Sequence, residues 1–382
     1  MPRFVLLSLA LAPGFLCGCS DVPEPSPNFR EYAYISNGGS NTVTVVDLRA
    51  LRILATVAVG RSPTGLAVNP HKNEIYVANT ESNNISVIDA ETNRVVSVIG
   101  VHRAPFSVDV SADGKRAYVA NSGSANLSVI DLDQRKVMAT IAVGNGSTLA
   151  KLTPDGKLAL VSLRDEDSVA LVDTARLAVR SKIKTCAKPG PVAIVPDSSK
   201  AFVACTATNE VAVIQLANDK EPSDKLLTLL DVGKTPIDVL VKPDGGEVFV
   251  CNFDSSSVSE IIANSNEVNG TFLIGDHPVR GLVSPDNSLL FVSNFGSDSV
   301  AVYNIDNGRR AGAVGVGSNP EAMAFSPNQL RLLVVDTKSN DLAVLELTDR
   351  KGNPRTIPVL ETMVPLGSNP RAIVVKAFVS QK

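Results

Sequence analysis

The feature that most constrains this chain is a sequence repeat with a period near 42 residues, present eight times. Seven intervals separate the aligned copies, and they measure 42, 42, 42, 42, 47, 42 and 42 residues. The aligned hydrophobic positions are Tyr34, Tyr76, Tyr118, Leu160, Phe202, Phe249, Phe291 and Leu333. A fixed period of this size is typical of propellers and solenoids. The repeat therefore predicts one repeating architecture across most of the 382 residues.

Each repeat has the pattern of four short β-strands. In the repeat that spans 63–100, β-prone segments at 64–69, 75–79, 85–89 and 94–99 are separated by polar turns. Turns of the type Pro154-Asp155-Gly156 recur after the first strand, and 26 Gly and 23 Pro residues supply many such turns. Four antiparallel strands per repeat form one propeller blade, so the sequence predicts an all-β propeller.

The two ends of the repeat region predict how the ring closes. The first copy begins at Tyr32 with what is the second strand of other copies, and the last segment, 371–379, is a lone innermost strand. If this strand completes the first blade, both ends are paired and no sheet edge is left open. We therefore expect eight four-stranded blades, closed by the C-terminal strand, with a seven-bladed ring as the alternative.

The segments IYVAN at 75–79 and AYVAN at 117–121, each followed by a Val-Ile-Asp phrase, resemble the YVTN β-propeller repeat. The resemblance covers residues 32–380. It implies a propeller of the kind found in surface-layer and periplasmic proteins. The sequence contains no Trp, which excludes the WD-type propeller repeat.

The N-terminal residues read as an export signal. A short apolar run follows Arg3, and the sequence Leu16-Cys17-Gly18-Cys19 resembles a bacterial lipobox. The resemblance implies a signal peptide at 1–18, lipid attachment at Cys19 and a Pro-rich tether at 19–31. It also implies a bacterial envelope location, at the periplasmic or surface side of the outer membrane, with membrane contact through the lipid alone. The alternative is an ordinary secreted protein.

Candidate ligand-binding residues come from the loops around one mouth of the central channel. Loops that precede the innermost strands and loops that follow the second strands share this face, and loops on a rigid scaffold often carry function. The candidates are Arg61, His102, Arg103, Lys234, Asp238, Asp276, His277, Arg280, Glu321 and Arg371. Loops after the second strands add further charges of both signs, among them Arg164. Two interpretations are open: a solvated face with internal pairs such as Asp238–Arg280, or a rim whose arginines recognise an acidic or polar ligand.

Cysteine and histidine usage limits the other chemistry. In an exported chain, Cys186 and Cys205 are the expected disulfide, which leaves Cys251 as a buried thiol. Recurrent Asp and Asn columns are expected to accept hydrogen bonds from backbone N–H groups, so no metal site is predicted. No cofactor is expected, although His102 and His277 are placed at the mouth on opposite sides of the axis.

The function predicted from these features is a lipid-anchored, non-catalytic binding or scaffold module for an envelope protein or polysaccharide. The alternatives are a lactonase-like hydrolase, as in a related propeller family, and a carrier of haem or quinone in the channel. A net charge of −3 argues against nucleic-acid binding. We expect a monomer.

Overall fold

The computed structural model describes residues 27–349 and 351–381, in which every regular element is a β-strand. The strands form eight antiparallel four-stranded sheets arranged as the blades of a ring, which confirms the eight-bladed propeller and excludes seven blades. The predicted signal peptide and lipid attachment at Cys19 lie outside the described residues and stay predictions. In the part of the chain that the structure describes, no helix could cross a membrane.

We number the blades I to VIII, and within blades II to VIII the strands run in chain order from the channel to the rim. The strands of blades I to IV are β1 (Phe29–Asn37), β2 (Thr42–Asp47), β3 (Arg52–Ala58), β4 (Pro63–Val68), β5 (Glu74–Asn79), β6 (Asn84–Asp89), β7 (Arg94–Gly100), β8 (Pro105–Val110), β9 (Arg116–Asn121), β10 (Asn126–Asp131), β11 (Lys136–Ala142), β12 (Ser147–Leu152), β13 (Leu158–Leu163), β14 (Ser168–Asp173) and β15 (Ala178–Lys184). The strands of blades V to VIII, and the strand that completes blade I, are β16 (Pro189–Ile194), β17 (Lys200–Cys205), β18 (Glu210–Gln215), β19 (Lys225–Asp231), β20 (Pro236–Val241), β21 (Glu247–Asn252), β22 (Ser257–Ile262), β23 (Glu267–Leu273), β24 (Pro278–Val283), β25 (Leu289–Asn294), β26 (Ser299–Asn304), β27 (Arg309–Gly315), β28 (Pro320–Phe325), β29 (Arg331–Asp336), β30 (Asp341–Thr348), β31 (Pro354–Pro365) and β32 (Pro370–Val379).

The core lies between adjacent blades, on both faces of the middle strands. All six residues of β5 are buried, whereas exposed residues alternate along β7 at the rim of the same blade. The eight aligned positions from Tyr34 to Leu333 are fully buried. Tyr, Phe and Leu fill these inter-blade layers together with β-branched residues, which pack well on pleated surfaces. The repeat is thus explained by one packing unit used eight times.

The C-terminal strand closes the ring. In blade I the order is β3-β2-β1-β32, and β32 pairs antiparallel with β1 from Phe29↔Val379 to Ile35↔Ile373. The pairing begins at Phe29, three residues before the predicted start, because Val379 and Phe378 extend the ladder beyond Tyr32. The ends of the chain therefore hold each other in one sheet.

Long cationic side chains connect blade I to its neighbours. Arg331 of blade VIII donates from Nη1 to the carbonyl oxygen of Leu48 in blade I at 3.1 Å, while Glu361 binds its Nε at 2.7 Å. On the other side, the buried Lys376 donates from Nζ to the carbonyl oxygen of Asn69 at 2.7 Å. These contacts join blade I to blade VIII on one side and to blade II on the other, next to the closing strand β32.

The asparagine column has a different role from the one predicted. In blade II, Asn79 donates from Nδ2 to Asn84 Oδ1 at 2.8 Å and to Ser86 Oγ at 2.9 Å, so it ties β5 to β6 and does not cap backbone N–H groups. Gly60 lies against it, because a Cβ at Gly60 would be 2.7 Å from the Cβ of Asn79. The same glycine–asparagine contact recurs at this face of other blades, as in Gly233–Asn252 and Gly275–Asn294.

Blade V replaces this contact with a covalent bond. Cys186 and Cys205 occupy the positions that Gly60 and Asn79 hold in blade II, and the structure joins them in a disulfide with Cα atoms 5.7 Å apart. Both cysteines are buried, and Cys251 is a buried free thiol whose pKa is raised by desolvation. The pair is the one named from the sequence.

Removing the disulfide should destabilise the propeller. A loop of this length predicts that Cys186→Ala/Cys205→Ala lowers the free energy of unfolding by about 3 kcal/mol, because the unfolded chain gains entropy. The matched variant Cys186→Gly/Cys205→Asn restores the contact of the other blades and should lose less. Urea unfolding under non-reducing conditions measures both. Equal midpoints for the alanine variant and the wild type would contradict this role.

Candidate functional site

The two sets of loops named from the sequence do meet on one face of the ring, which we call the mouth face. The N–H of Thr80, after β5, donates to the carbonyl oxygen of Ser62, before β4, at 3.0 Å. The N–H of Phe295 donates to the carbonyl oxygen of His277 at 2.9 Å in the same way. These backbone hydrogen bonds join the two loops of each blade, so the loops around the channel mouth are held in place by the blades.

The aspartate column lies at the ends of third strands and does what the sequence predicted. Asp131 Oδ1 accepts the backbone N–H groups of Asp133 at 2.9 Å and Gln134 at 2.8 Å, and Asp173 caps its own turn similarly. No group of three or more His, Cys, Asp or Glu residues within 27–349 and 351–381 is arranged to bind a metal ion. These carboxylates therefore shape turns.

A cavity of about 440 Å³ opens inside the channel between the innermost strands of blades III to VII. Its walls include apolar groups and four charged side chains. The charged residues are Lys151, Arg164, Asp238 and Arg280. Three cations face one anion, so the cavity is net positive and suits a negatively charged ligand.

Arg280 and Asp238 form an ion pair across two neighbouring innermost strands. Arg280 Nη1 donates to Asp238 Oδ1 at 2.7 Å, and the backbone N–H of Gly281 donates to Asp238 Oδ2 at 2.9 Å. The Asp238 side chain is only 5% exposed, whereas Arg280 is 46% exposed to the channel. Burial raises the pKa of Asp238, with Arg280 opposing the rise, and Asp238 raises the pKa of Arg280. Asp238 thus holds the guanidinium so that its other face is open to the cavity.

Glu321 lies on β28, next to the strand of Arg280. Its charge also raises the pKa of Arg280, so the arginine is flanked by two carboxylates. Glu321 Oε2 accepts a hydrogen bond from Thr337 Oγ1 at 2.9 Å, while Oε1 has no hydrogen bond among the described residues. One oxygen of this carboxylate is therefore fixed and the other is available to a water or substrate.

Lys151 and Arg164 are the unpaired cations of the cavity. Lys151 is exposed on β12 and Arg164 is exposed in the loop after β13. Neither side chain forms an ion pair or hydrogen bond with the residues that the structure describes. Unpaired exposed cations keep their charge for a ligand.

The remaining predicted residues lie on the rim and do not converge. Arg61 approaches the carbonyl oxygen of Glu81 at 3.5 Å, Arg103 packs beside Gly123, and Arg371 lies beside Gly38. The backbone N–H of Lys234 donates to Ser255 Oγ at 2.9 Å. Of the predicted set, the structure therefore brings Asp238, Arg280 and Glu321 together beside the cavity.

The two histidines of the mouth face do not line the cavity. His102 Nε2 lies 3.1 Å from Thr140 Oγ1 on the outermost strand of its blade, so its imidazole is directed to the rim. His277 packs on Phe253 with ring centroids 4.5 Å apart, and its Nδ1 lies 3.0 Å from Asp276 Oδ1. His102 in blade III and His277 in blade VII are four blades apart in the ring of eight, but each imidazole has a local partner, so the two rings do not meet in the channel.

Lys151 was not among the predicted residues, because those were taken from the loops. It occupies the fifth position of an innermost strand, deeper in the channel than the loops. The equivalent residues in the other strands are Ala67, Asp109, Ala193, Leu240, Leu282, Ala324 and Val374. A charged residue in this mostly apolar column was the signal that could have identified it.

Comparisons with known proteins support a β-propeller family. The sequence profile of the YNCE-like β-propeller family matches residues 67–150, and that of the lactonase family of seven-bladed β-propellers matches residues 282–364. The second match contains Glu321. No curated protein sequence matches the chain significantly.

Several solved structures share the fold. A candidate 6-phosphogluconolactonase from Bacteroides uniformis has a TM-score of 0.60 and 16% identity, over 91% of this chain and 99% of that one. One from Bacteroides fragilis has a TM-score of 0.62 and 15% identity, over 93% and 99%. The dihydro-haem d1 dehydrogenase NirN has a TM-score of 0.72 and 14% identity, over 90% and 74%. At these identities the likeness shows the fold.

The prediction of a non-catalytic binding or scaffold module is wrong in the light of these findings. The match to the lactonase family over residues 282–364 favours the hydrolase alternative. No local sequence motif marks a hydrolase site in this chain. The charged residues of the cavity come from separate blades, which only the closed ring brings together.

Proposed function

We propose that this propeller is a lactonase-like hydrolase, which opens the ring of an anionic sugar lactone in the channel cavity. The observation that carries the proposal is the cluster of Arg280, Asp238 and Glu321 beside a cavity with two further unpaired cations. The lactonase family match over residues 282–364 supports the same reaction class.

The chemistry needs a base, an oxyanion stabiliser and a group that positions the substrate. Glu321 is the proposed general base, since its free oxygen can accept a proton from water. The resulting hydroxide attacks the lactone carbonyl carbon, and the guanidinium of Arg280 stabilises the oxyanion that develops. Collapse of this intermediate breaks the ring C–O bond, and the leaving oxygen takes up the proton. The product is an open-chain hydroxy acid.

Asp238 is assigned as a positioning residue and not as the base. Both of its oxygens are engaged, one by Arg280 and one by the N–H of Gly281. Its role is to keep the guanidinium in one orientation. Lys151 and Arg164 are assigned to the anionic group of the substrate, a phosphate or a carboxylate.

The charge of the cavity predicts a preference for anionic lactones. Initial rates should be measured by pH-stat for glucono-δ-lactone, its 6-phosphate and glucaro-1,4-lactone, with spontaneous opening subtracted. We expect kcat/KM to be at least ~10-fold higher for the charged substrates, as one well-placed ion pair is worth about 1.4 kcal/mol or more. Lys151→Ala/Arg164→Ala should remove the preference and leave the neutral lactone within about 3-fold of wild type. Equal rates for charged and neutral lactones would contradict the assigned role of these cations.

A further inference from the structure

Blade VIII contains two carboxylates that face each other in the protein interior. Asp336 ends β29 and Asp341 begins β30, and the two residues are directly opposite in the antiparallel register. Asp336 is fully buried, and its Oδ2 accepts the backbone N–H of Gly317 at 3.0 Å. The Oδ1 atoms of both residues are buried and lack any other partner in the described chain. Two such oxygens satisfy each other only if one carries a proton.

The residue equivalent to Asp336 in most other blades is an asparagine, whose side-chain amide donates hydrogen bonds. In blade VI, Asn252 donates from Nδ2 to Ser257 Oγ at 3.2 Å and to Ser259 Oγ at 3.0 Å. Asp336 stands in the asparagine column but has no amide to donate. A shared proton supplies the missing donor. Burial, together with the nearby charge of Asp341, raises the pKa of Asp336 to about 8.

No cation neutralises the pair. At the same end of the blade, the charged side chains nearby are Glu321 on β28, Lys338 in the following loop, Arg371 on β32 and Asp298 on the loop of blade VII. The other charged residues of β29 to β32 lie towards the opposite end and have partners there, namely Arg331, Glu346, Arg355, Glu361 and Lys376. Within the described residues, none of them forms an ion pair with Asp336 or Asp341. A second negative charge there would therefore be uncompensated, which is costly in a buried site.

The loop that follows Asp336 reaches the candidate site. Thr337 donates to the Oε2 of Glu321, the proposed base, and its N–H donates to the carbonyl oxygen of Asn319 at 3.0 Å. The N–H of Lys338 donates to the carbonyl oxygen of Ser318 at 3.1 Å. Strain at the carboxylate pair would act directly on the residue that orients Glu321.

We propose that Asp336 and Asp341 share one proton and form an alkaline switch, in which loss of the proton loosens the 337–340 loop and releases Glu321. The part of this inference that concerns Glu321 rests on the proposed function. The shared proton and the loop do not depend on it.

The direction of the pH effect follows from proton linkage. Asp336 holds its proton in the folded protein up to pH about 8, whereas an unfolded aspartate loses it near pH 4. The folded state binds more protons between these limits, so stability falls as pH rises through that window and then levels off.

Hydrogen exchange of the full chain tests the switch without assuming an activity. The variant Asp336→Asn restores the amide of the other blades. At pH 9 the peptide that contains 337–340 should exchange at least ~10-fold faster in wild type than in Asp336→Asn, and equally fast at pH 6. Asp341→Asn should behave like Asp336→Asn, and Asp219→Asn, on an exposed loop, should behave like wild type.

Two further measurements, of melting temperature and of lactone opening, test the shared proton separately from its effect on Glu321. The melting temperature of wild type should fall by roughly 3 °C or more from pH 6 to pH 9 relative to Asp336→Asn. Parallel melting and exchange profiles for the two proteins would overturn the switch. If these profiles differ as expected but no lactone is opened, the switch stands and the proposed function fails. If lactones are opened, Asp336→Asn should extend activity to higher pH, and an unchanged alkaline limb would overturn the link to Glu321.

Discussion

Replacement of Arg280 by alanine should abolish most of the lactone-opening activity. The guanidinium is the group aimed at the oxyanion, and loss of one such donor lowers kcat by about 10²–10³-fold in other hydrolases. Because the effect falls on the transition state, kcat should decrease far more than KM changes. Steady-state kinetics on the 6-phosphate of glucono-δ-lactone measure this.

The controls for this variant must separate chemistry from folding. Arg280→Ala leaves the buried Asp238 without its cation, so the melting temperature should be compared with that of Arg280→Ala/Asp238→Asn. The second protein should recover stability but not activity. Arg176→Ala is the matched surface control, because this side chain is 80% exposed and its ion-pair partner within residues 27–349 and 351–381 is Asp173 alone. An active Arg280→Ala protein would contradict the assigned role.

Deletion of residues 370–382 should prevent the ring from closing. This removes β32 together with Phe378, leaves the whole inner edge of β1 unpaired and uncovers Tyr32, whose ring packs edge-on against Phe378. It also removes the Lys376 contact to Asn69. Exposure of a long buried strand edge and its apolar neighbours favours aggregation. We expect a protein without a cooperative thermal transition in circular dichroism.

Rescue by a separate peptide tests whether the loss of structure is due to the missing strand. A synthetic peptide of residues 368–381 should pair with the truncated chain and restore a cooperative transition, whereas the same composition in scrambled order should not. Removal of residues 381–382 alone should leave the melting temperature unchanged. A truncated protein that melts like the wild type would show that β32 does not close the ring.

The fold was predictable because one packing unit recurs at a fixed spacing. The column from Tyr34 to Leu333 marks the same buried position in every blade, and the unmatched strands at the ends imply that β32 completes blade I. The start of β1 differed by three residues, because the long pairing with β32 is a tertiary contact that no local signal records.

The candidate site was harder to predict, because its groups are contributed by different blades. The pair of Asp238 and Arg280 was considered from the sequence, but as a surface pair, whereas Asp238 is buried. His102 takes the position of a glycine in other blades, and its direction depends on Thr140 of the outermost strand. Asp336 was visible as an exception in the asparagine column. Its proton partner became clear only from the register that places Asp341 opposite.

The central claim is that the full chain catalyses the opening of an anionic lactone at Arg280. The most direct test is the initial rate of acid release from the 6-phosphate of glucono-δ-lactone at pH 7, compared with spontaneous opening. We predict a rate that rises in proportion to protein concentration and that falls at least ~100-fold in Arg280→Ala. A folded wild-type protein that does not exceed the spontaneous rate, with this substrate or with glucaro-1,4-lactone, would contradict the account.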